Sequence, residues 1–224
     1  MKKPDVKNKP DAMKKIVILI SGRGSNLGAL LESTLPCEVA AVISNKADAG
    51  GLEIATAYGV ATRVISHKDY ADRAAFDTAL AAIIDTFQPD FVVLAGFMRI
   101  LTDDFVHHYA GRLVNIHPSL LPSFPGVNTH ERALEEGVKI HGCTVHFVTP
   151  KLDHGPIIIQ AAVPVLRHDT PQALAARVLQ QEHRIFPQAI RWLCEGRVRM
   201  DASGRIAASC DELASASLIS PQSA

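Results

Sequence analysis

Apolar residues in this chain fall into short unbroken runs separated by amphipathic stretches, and the alternation predicts strands and helices in turn. Residues 15–20 (KIVILI) form a β-branched run apolar on both faces, the pattern of a parallel strand covered by helices on each side. Runs at 38–43, 60–65, 91–95 and 112–116 repeat it. Between them, 52–58 reads as a helix closed by Gly59. Residues 70–87 read as a longer one, with Ala74, Ala75, Leu80, Ile83, Ile84 and Phe87 at helical spacing before Pro89 stops it. Helices are also predicted at 130–136, ending at Gly137, and at 173–194, where Pro187 invites a bend. Residues 141–148 and 156–163 read as strands, and the segment joining them is too short for a crossover helix, so they should run antiparallel. A hairpin is expected over 197–206. The fold class is therefore α/β: a doubly wound, mostly parallel sheet with antiparallel strands in the C-terminal half. One domain is expected over 14–200, with a disordered extension at 1–13 and a loosely held tail at 201–224. No internal repeat is visible.

Composition narrows the function classes. Of 224 residues, 23 are Lys or Arg and 23 are Asp or Glu, so no global field draws the chain to nucleic acid or an anionic membrane. Neither kind of partner is expected, although a small anionic ligand needs only local charge. The four cysteines, Cys37, Cys143, Cys194 and Cys210, form no CxxC pair, which argues against a zinc ribbon or disulfide framework and fits a cytoplasmic protein. The histidines show no HExxH or similar ligand spacing, so no metal is expected. No apolar run approaches the roughly 20 residues that cross a bilayer.

The richest stretch is 115–126 (NIHPSLLPSFPG), which follows a predicted strand. Asn115 and His117, two apart, would project from one side of that strand into a loop stiffened by Pro118. An amide donor beside an imidazole can stabilise a developing oxyanion and move a proton. The plainer alternative is a strand end whose histidine caps a neighbouring carbonyl. Near the amino end, SGRGSN at 21–26 lies between a strand and a helix, the layout of an anion site at a helix N-terminus. Its spacing is GxGxxxG. The second strand ends in Ser44-Asn45-Lys46, without the acidic residue a dinucleotide site would place there. A phosphate-bearing ligand, a nicotinamide cofactor and an ordinary tight turn remain open from these residues. Residues 96–101 (GFMRIL) offer Phe97, Met98, Ile100 and Leu101 as the lining of a flat apolar pocket, or simply as core. Asp153 sits in the 149–155 loop, either a partner for an imidazole or a turn former before Gly155. Ligands of doubly wound sheets bind at the carboxyl ends of strands, and these candidates collect there.

Taken together, the segments ISGRGSNL (20–27), SNKAD (44–48), LAGFMRIL (94–101), NIHPSLLP (115–122), HGCTVHFV (141–148), Leu152-Asp153 and QEHRIFP (181–187) resemble the phosphoribosylglycinamide formyltransferase family. They occur in the family's order and cover about 14–200. The resemblance implies transfer of a formyl group from 10-formyltetrahydrofolate, a co-substrate, to the amine of glycinamide ribonucleotide in purine synthesis, without a metal. It implies Asn115, His117 and Asp153 as the catalytic three. Gly24, Ser25 and Asn26 would form a phosphate-binding loop, and Glu182 would hold the ribose. Arg73, Met98, Arg99, Ile100, Leu101 and Asn115 would contact the folate. Some members carry a histidine where this chain has Asn128. The expected assembly is a monomer or homodimer acting on small molecules.

Rival readings are a formyltetrahydrofolate hydrolase, expected to carry an additional N-terminal domain, and a methionyl-tRNA or amino-sugar formyltransferase. A nucleotide-binding module without catalysis and a nicotinamide oxidoreductase are rivals of other classes.

Overall fold

The computed structural model describes residues 13–201 and 203–208. The expected extension before Met13, the tail beyond Ala208 and Cys210 lie outside the described residues. Five strands are parallel: β1 (Lys14–Ile20), β2 (Cys37–Ser44), β3 (Thr62–Val64), β4 (Phe91–Leu94) and β5 (Leu113–His117). Two more, β6 (Ile140–Phe147) and β7 (Ile157–Pro164), add antiparallel to β5, giving the order β3-β2-β1-β4-β5-β6-β7. The fold class read from the sequence is the observed one.

Both faces of the central strands are buried, and the β-branched run explains how. In β1, Ile16, Ile18 and Ile20 point into one apolar layer while Val17 and Leu19 point into the other. The first layer is closed by α1 (Ser25–Glu32), α2 (Gly51–Ala57), α5 (Thr129–Glu135) and α6 (Pro171–Cys194). The second is closed by α3 (Arg73–Asp85) and α4 (Asp103–His108), through Phe76, Leu80, Phe105 and Val106. All five of those β1 side chains are fully buried, each stabilising by about 1.5–3 kcal/mol relative to exposure.

Several boundaries differ from the expected ones. The third strand shrinks to Thr62–Val64 at the sheet edge. The helix expected at 70–87 starts at Arg73, because the Asp72 carboxylate accepts the Ala75 N–H at 2.8 Å and caps it there. α4 was not anticipated. Pro187 lies inside α6, which runs through it to Cys194. The C-terminal hairpin forms as β8 (Val198–Met200) and β9 (Ile206–Ala208), a sheet of its own. Among the described residues no helix is long and apolar enough to cross a membrane, and Cys37, Cys143 and Cys194 are free thiols.

Strand order reverses between β1 and β4, so a crevice opens at their carboxyl ends. Ser21 closes its floor: its N–H donates to the Gly96 carbonyl at 3.2 Å, and its hydroxyl donates to Asn45 Oδ1 at 2.6 Å. The same hydroxyl accepts the Met98 N–H at 2.9 Å. Three strand ends are thereby tied together beneath the candidate residues.

Candidate active site

Asn115 and His117 leave the end of β5 on one side of the strand and line a cavity of about 600 Å³. Asn26, Gly96, His130 and Glu182 line it too. A smaller cavity of about 100 Å³ lies beyond Asn115 and is lined by Phe97, Ile100, Leu101, Leu152 and Asp153 among others. Asn115 belongs to both walls.

The loop after His117 is held by hydrogen bonds of its own. Ser119 N–H donates to the His117 carbonyl at 2.9 Å, and the Ser119 hydroxyl to the Ser123 carbonyl at 2.6 Å. Thr144 of β6 donates its hydroxyl to the Ser119 carbonyl at 2.7 Å and accepts the Leu121 N–H at 3.1 Å. The folded-back loop brings the Phe124 carbonyl to 3.0 Å from His117 Nε2, which donates to it. The carbonyl-capping role considered for this histidine is therefore real, but it occupies only one ring nitrogen.

The other nitrogen faces Asp153. His117 Nδ1 lies 3.5 Å from Asp153 Oδ2, and the two side chains are only 7% and 9% exposed. The same Oδ2 accepts the Gly126 N–H at 2.8 Å, so the carboxylate joins the two loops as well as the two side chains. Asp153 holds a left-handed backbone, φ 49°, a conformation that Asp tolerates better than most residues. Residues 36 apart in sequence thus meet across a buried contact, and Asn115, His117 and Asp153 are brought together.

The other expected contacts divide. Asn26 donates from Nδ2 to Glu182 Oε2 at 2.7 Å across the larger cavity. Burial pushes the Glu182 carboxyl up, with the Asn26 amide pulling against it. Gly24 and Ser25 line a separate depression with His183 and Pro187. Gly24, φ 82°, precedes α1 with no side chain capping the helix. A Cβ there would sit 2.5 Å from Gly51 Cα, where α2 begins, so two helix starts can meet only over a glycine. Met98 lines the larger cavity, while Arg99, Ile100 and Leu101 line the smaller. Arg73 is exposed at the start of α3 and lines neither.

Sequence reasoning did not single out His130, His141 or His146. His130 lines the larger cavity, and His141 stands behind it with ring centroids 5.2 Å apart. Burial lowers both: His130 below the usual histidine range, with His117 adding to the effect, and His141 to about 4. His146 also lies below the usual range, chiefly through burial. His130 lies on α5, and His141 and His146 lie on β6, so their approach to His117 and Asn115 depends on tertiary packing and not on spacing within one segment. Among the described residues no group of three or more His, Cys, Asp or Glu side chains is placed to hold a metal ion.

The chain also matches known proteins. The formyl transferase family model matches residues 14–190. Phosphoribosylglycinamide formyltransferase of Escherichia coli is 53% identical over 189 residues, 83% of this chain and 89% of that protein. A trifunctional purine biosynthetic protein of Bos taurus is 52% identical over 196 residues, and this chain spans 19% of its length. The crystal structure of glycinamide ribonucleotide transformylase 1 from Symbiobacterium toebii superposes with a TM-score of 0.84 at 48% identity, covering 88% of this chain and 94% of that one.

Proposed function

We infer the activity of this chain from one premise: it belongs to the formyl transferase family. We propose that it moves the formyl group of 10-formyltetrahydrofolate onto the amine of N1-(5-phosphoribosyl)glycinamide, in purine biosynthesis. The observation that carries this reading is the 3.5 Å approach of His117 and Asp153 beside Asn115, at the wall between two cavities. The smaller cavity, with Phe97, Ile100, Leu101, Val106 and Leu152, suits a flat ring system such as a pterin. Arg99 and, from outside, Arg73 and Met98 would hold the rest of the folate. In the larger cavity the Asn26–Glu182 pair offers a donor and an acceptor to ribose hydroxyls. Beyond it, Gly24 and Ser25 place the start of α1, the positive end of a helix dipole, where a phosphate would sit.

The chemistry asks little of a base. A neutral primary amine attacks the formyl carbon, and the carbonyl π pair moves onto oxygen. The bond to N10 then breaks, and one proton passes from the attacking nitrogen to N10, so no proton is gained or lost overall. Asn115 donates to the oxygen as its charge develops. His117 and Asp153 carry the proton. Because Nε2 is committed to the Phe124 carbonyl, the carrying edge of the ring is Nδ1, shared with the carboxylate or with a water between them.

The test is an assay with both substrates. Folate absorbance should change only when glycinamide ribonucleotide is present, with formylated ribonucleotide as product. Formate release without the ribonucleotide would replace this reading by a hydrolase, and silence with both substrates would remove it.

A further inference from the structure

β5 and β6 place Asn115 and His146 directly opposite each other. His146 is 1% exposed, and its Nδ1 lies 2.9 Å from the Phe147 carbonyl oxygen. A carbonyl only accepts, so Nδ1 carries the hydrogen. Burial keeps the ring neutral, although the Phe147 carbonyl and the Asp153 charge pull the other way and His117 pulls with it. A neutral ring has one N–H, which leaves Nε2 as a bare acceptor. Nε2 lies 3.3 Å from Asn115 Nδ2. A bare acceptor must meet the N–H end of the amide, not its oxygen, so the two ends of Asn115 are not interchangeable.

We propose that His146 is a positioning residue: through its Nδ1–H tautomer it fixes which end of the Asn115 amide stands at the junction of the two cavities. One amide hydrogen is spent on His146. The second, on the same nitrogen, is left to donate to the formyl oxygen. If the ring carried its hydrogen on Nε2, the amide would turn over and put an oxygen lone pair where the donor belongs, opposite a developing negative charge. This rests on the reading of Asn115 as the oxyanion donor.

Two measurements test it on the full chain. In the wild-type protein, nitrogen NMR of labelled histidine should show His146 with its hydrogen on Nδ1 across neutral pH; a hydrogen on Nε2 overturns the proposal whatever the variants do. In kinetics, His146→Phe should lower kcat by about tenfold or more, bounded by the loss in Asn115→Ala of roughly 10²–10³. KM for either substrate should stay within about threefold. His146→Gln, whose side-chain oxygen can accept the same N–H, should recover most of kcat. Adding His146→Phe to Asn115→Ala should cost less than about twofold more, because the group being positioned is already gone. Undiminished turnover in His146→Phe alongside an impaired Asn115→Ala overturns this proposal alone. Undiminished turnover in Asn115→Ala overturns the oxyanion reading and this proposal together.

Discussion

His117 and His141 are buried almost alike, 5% and 1% exposed, on neighbouring antiparallel strands, yet their surroundings differ in kind. His117 meets a carbonyl at one nitrogen and a carboxylate at the other. His141 packs against the rings of Phe124 and His130, at 5.7 and 5.2 Å, with no well-formed hydrogen bond at either nitrogen. Burial and its histidine neighbours push it to about 4, against a weak pull from the Pro118 carbonyl. At neutral pH it is an uncharged aromatic plate. Burial by itself thus turns a histidine into packing; what sets His117 apart is the carboxylate brought to it from a distant loop, and the proton transfer proposed for it rests on that contact.

The sharpest way to break this contrast is to remove the charge from one and the ring from the other. Asp153→Asn keeps an oxygen for the Gly126 N–H but takes away the negative charge beside Nδ1. It should lower kcat on the order of 10²–10⁴-fold. His141→Leu should leave kcat within about threefold. Steady-state rates at saturating substrates decide it, and equal losses in the two variants would erase the distinction.

A smaller effect appears in stability. His141 titrates near 4 in the folded chain and near 6.5 when unfolded, so between these values the unfolded state binds more protons. Its neutral folded form is fully compatible with folding above 6.5, and stability drains away as pH falls from 6.5 towards 4, by at most about 1.4 kcal/mol per pH unit. His130 and His146, also lowered, act in the same direction. Urea midpoints measured at several pH values for the wild type and His141→Leu should converge at neutrality up to a constant offset. In acid they should separate in favour of the variant. A separation that grows instead with rising pH would contradict the assignment of His141 as buried and neutral.

The same contrast explains what could be read in advance. The sheet and its helices were legible because each depends on local patterning: β1 announces itself through KIVILI, and α1 through the glycine turn before it. Even α4 had its signals, since Thr102 caps it with Asp103 and Asp104 in the first turn. They were overlooked because six residues are too few to display a period. Asn115 and His117 could be paired from their strand spacing alone. Asp153 could not be joined to them by any local rule, because the contact depends on two loops folding back, and only resemblance to a family supplied it. His146 was invisible for a related reason: its meeting with Asn115 depends on the register of β5 against β6, which spacing within either strand does not encode.

The finest probe adds a histidine to the same wall without giving it a partner. Asn128 lines the larger cavity, is exposed, and holds φ 56° just before α5. Histidine, like asparagine, is among the residues found more often than most in that left-handed conformation, so Asn128→His should cost only a few tenths of a kcal/mol. An exposed imidazole there has water on one side and no carboxylate assigned to it. If the carboxylate is what recruits a ring to proton transfer, kcat in Asn128→His should stay within about twofold of the wild type across pH 6 to 8. A tenfold change in either direction, following the titration of the new ring, would show that reaching the cavity is enough, and that the partner at Asp153 is not what sets His117 apart.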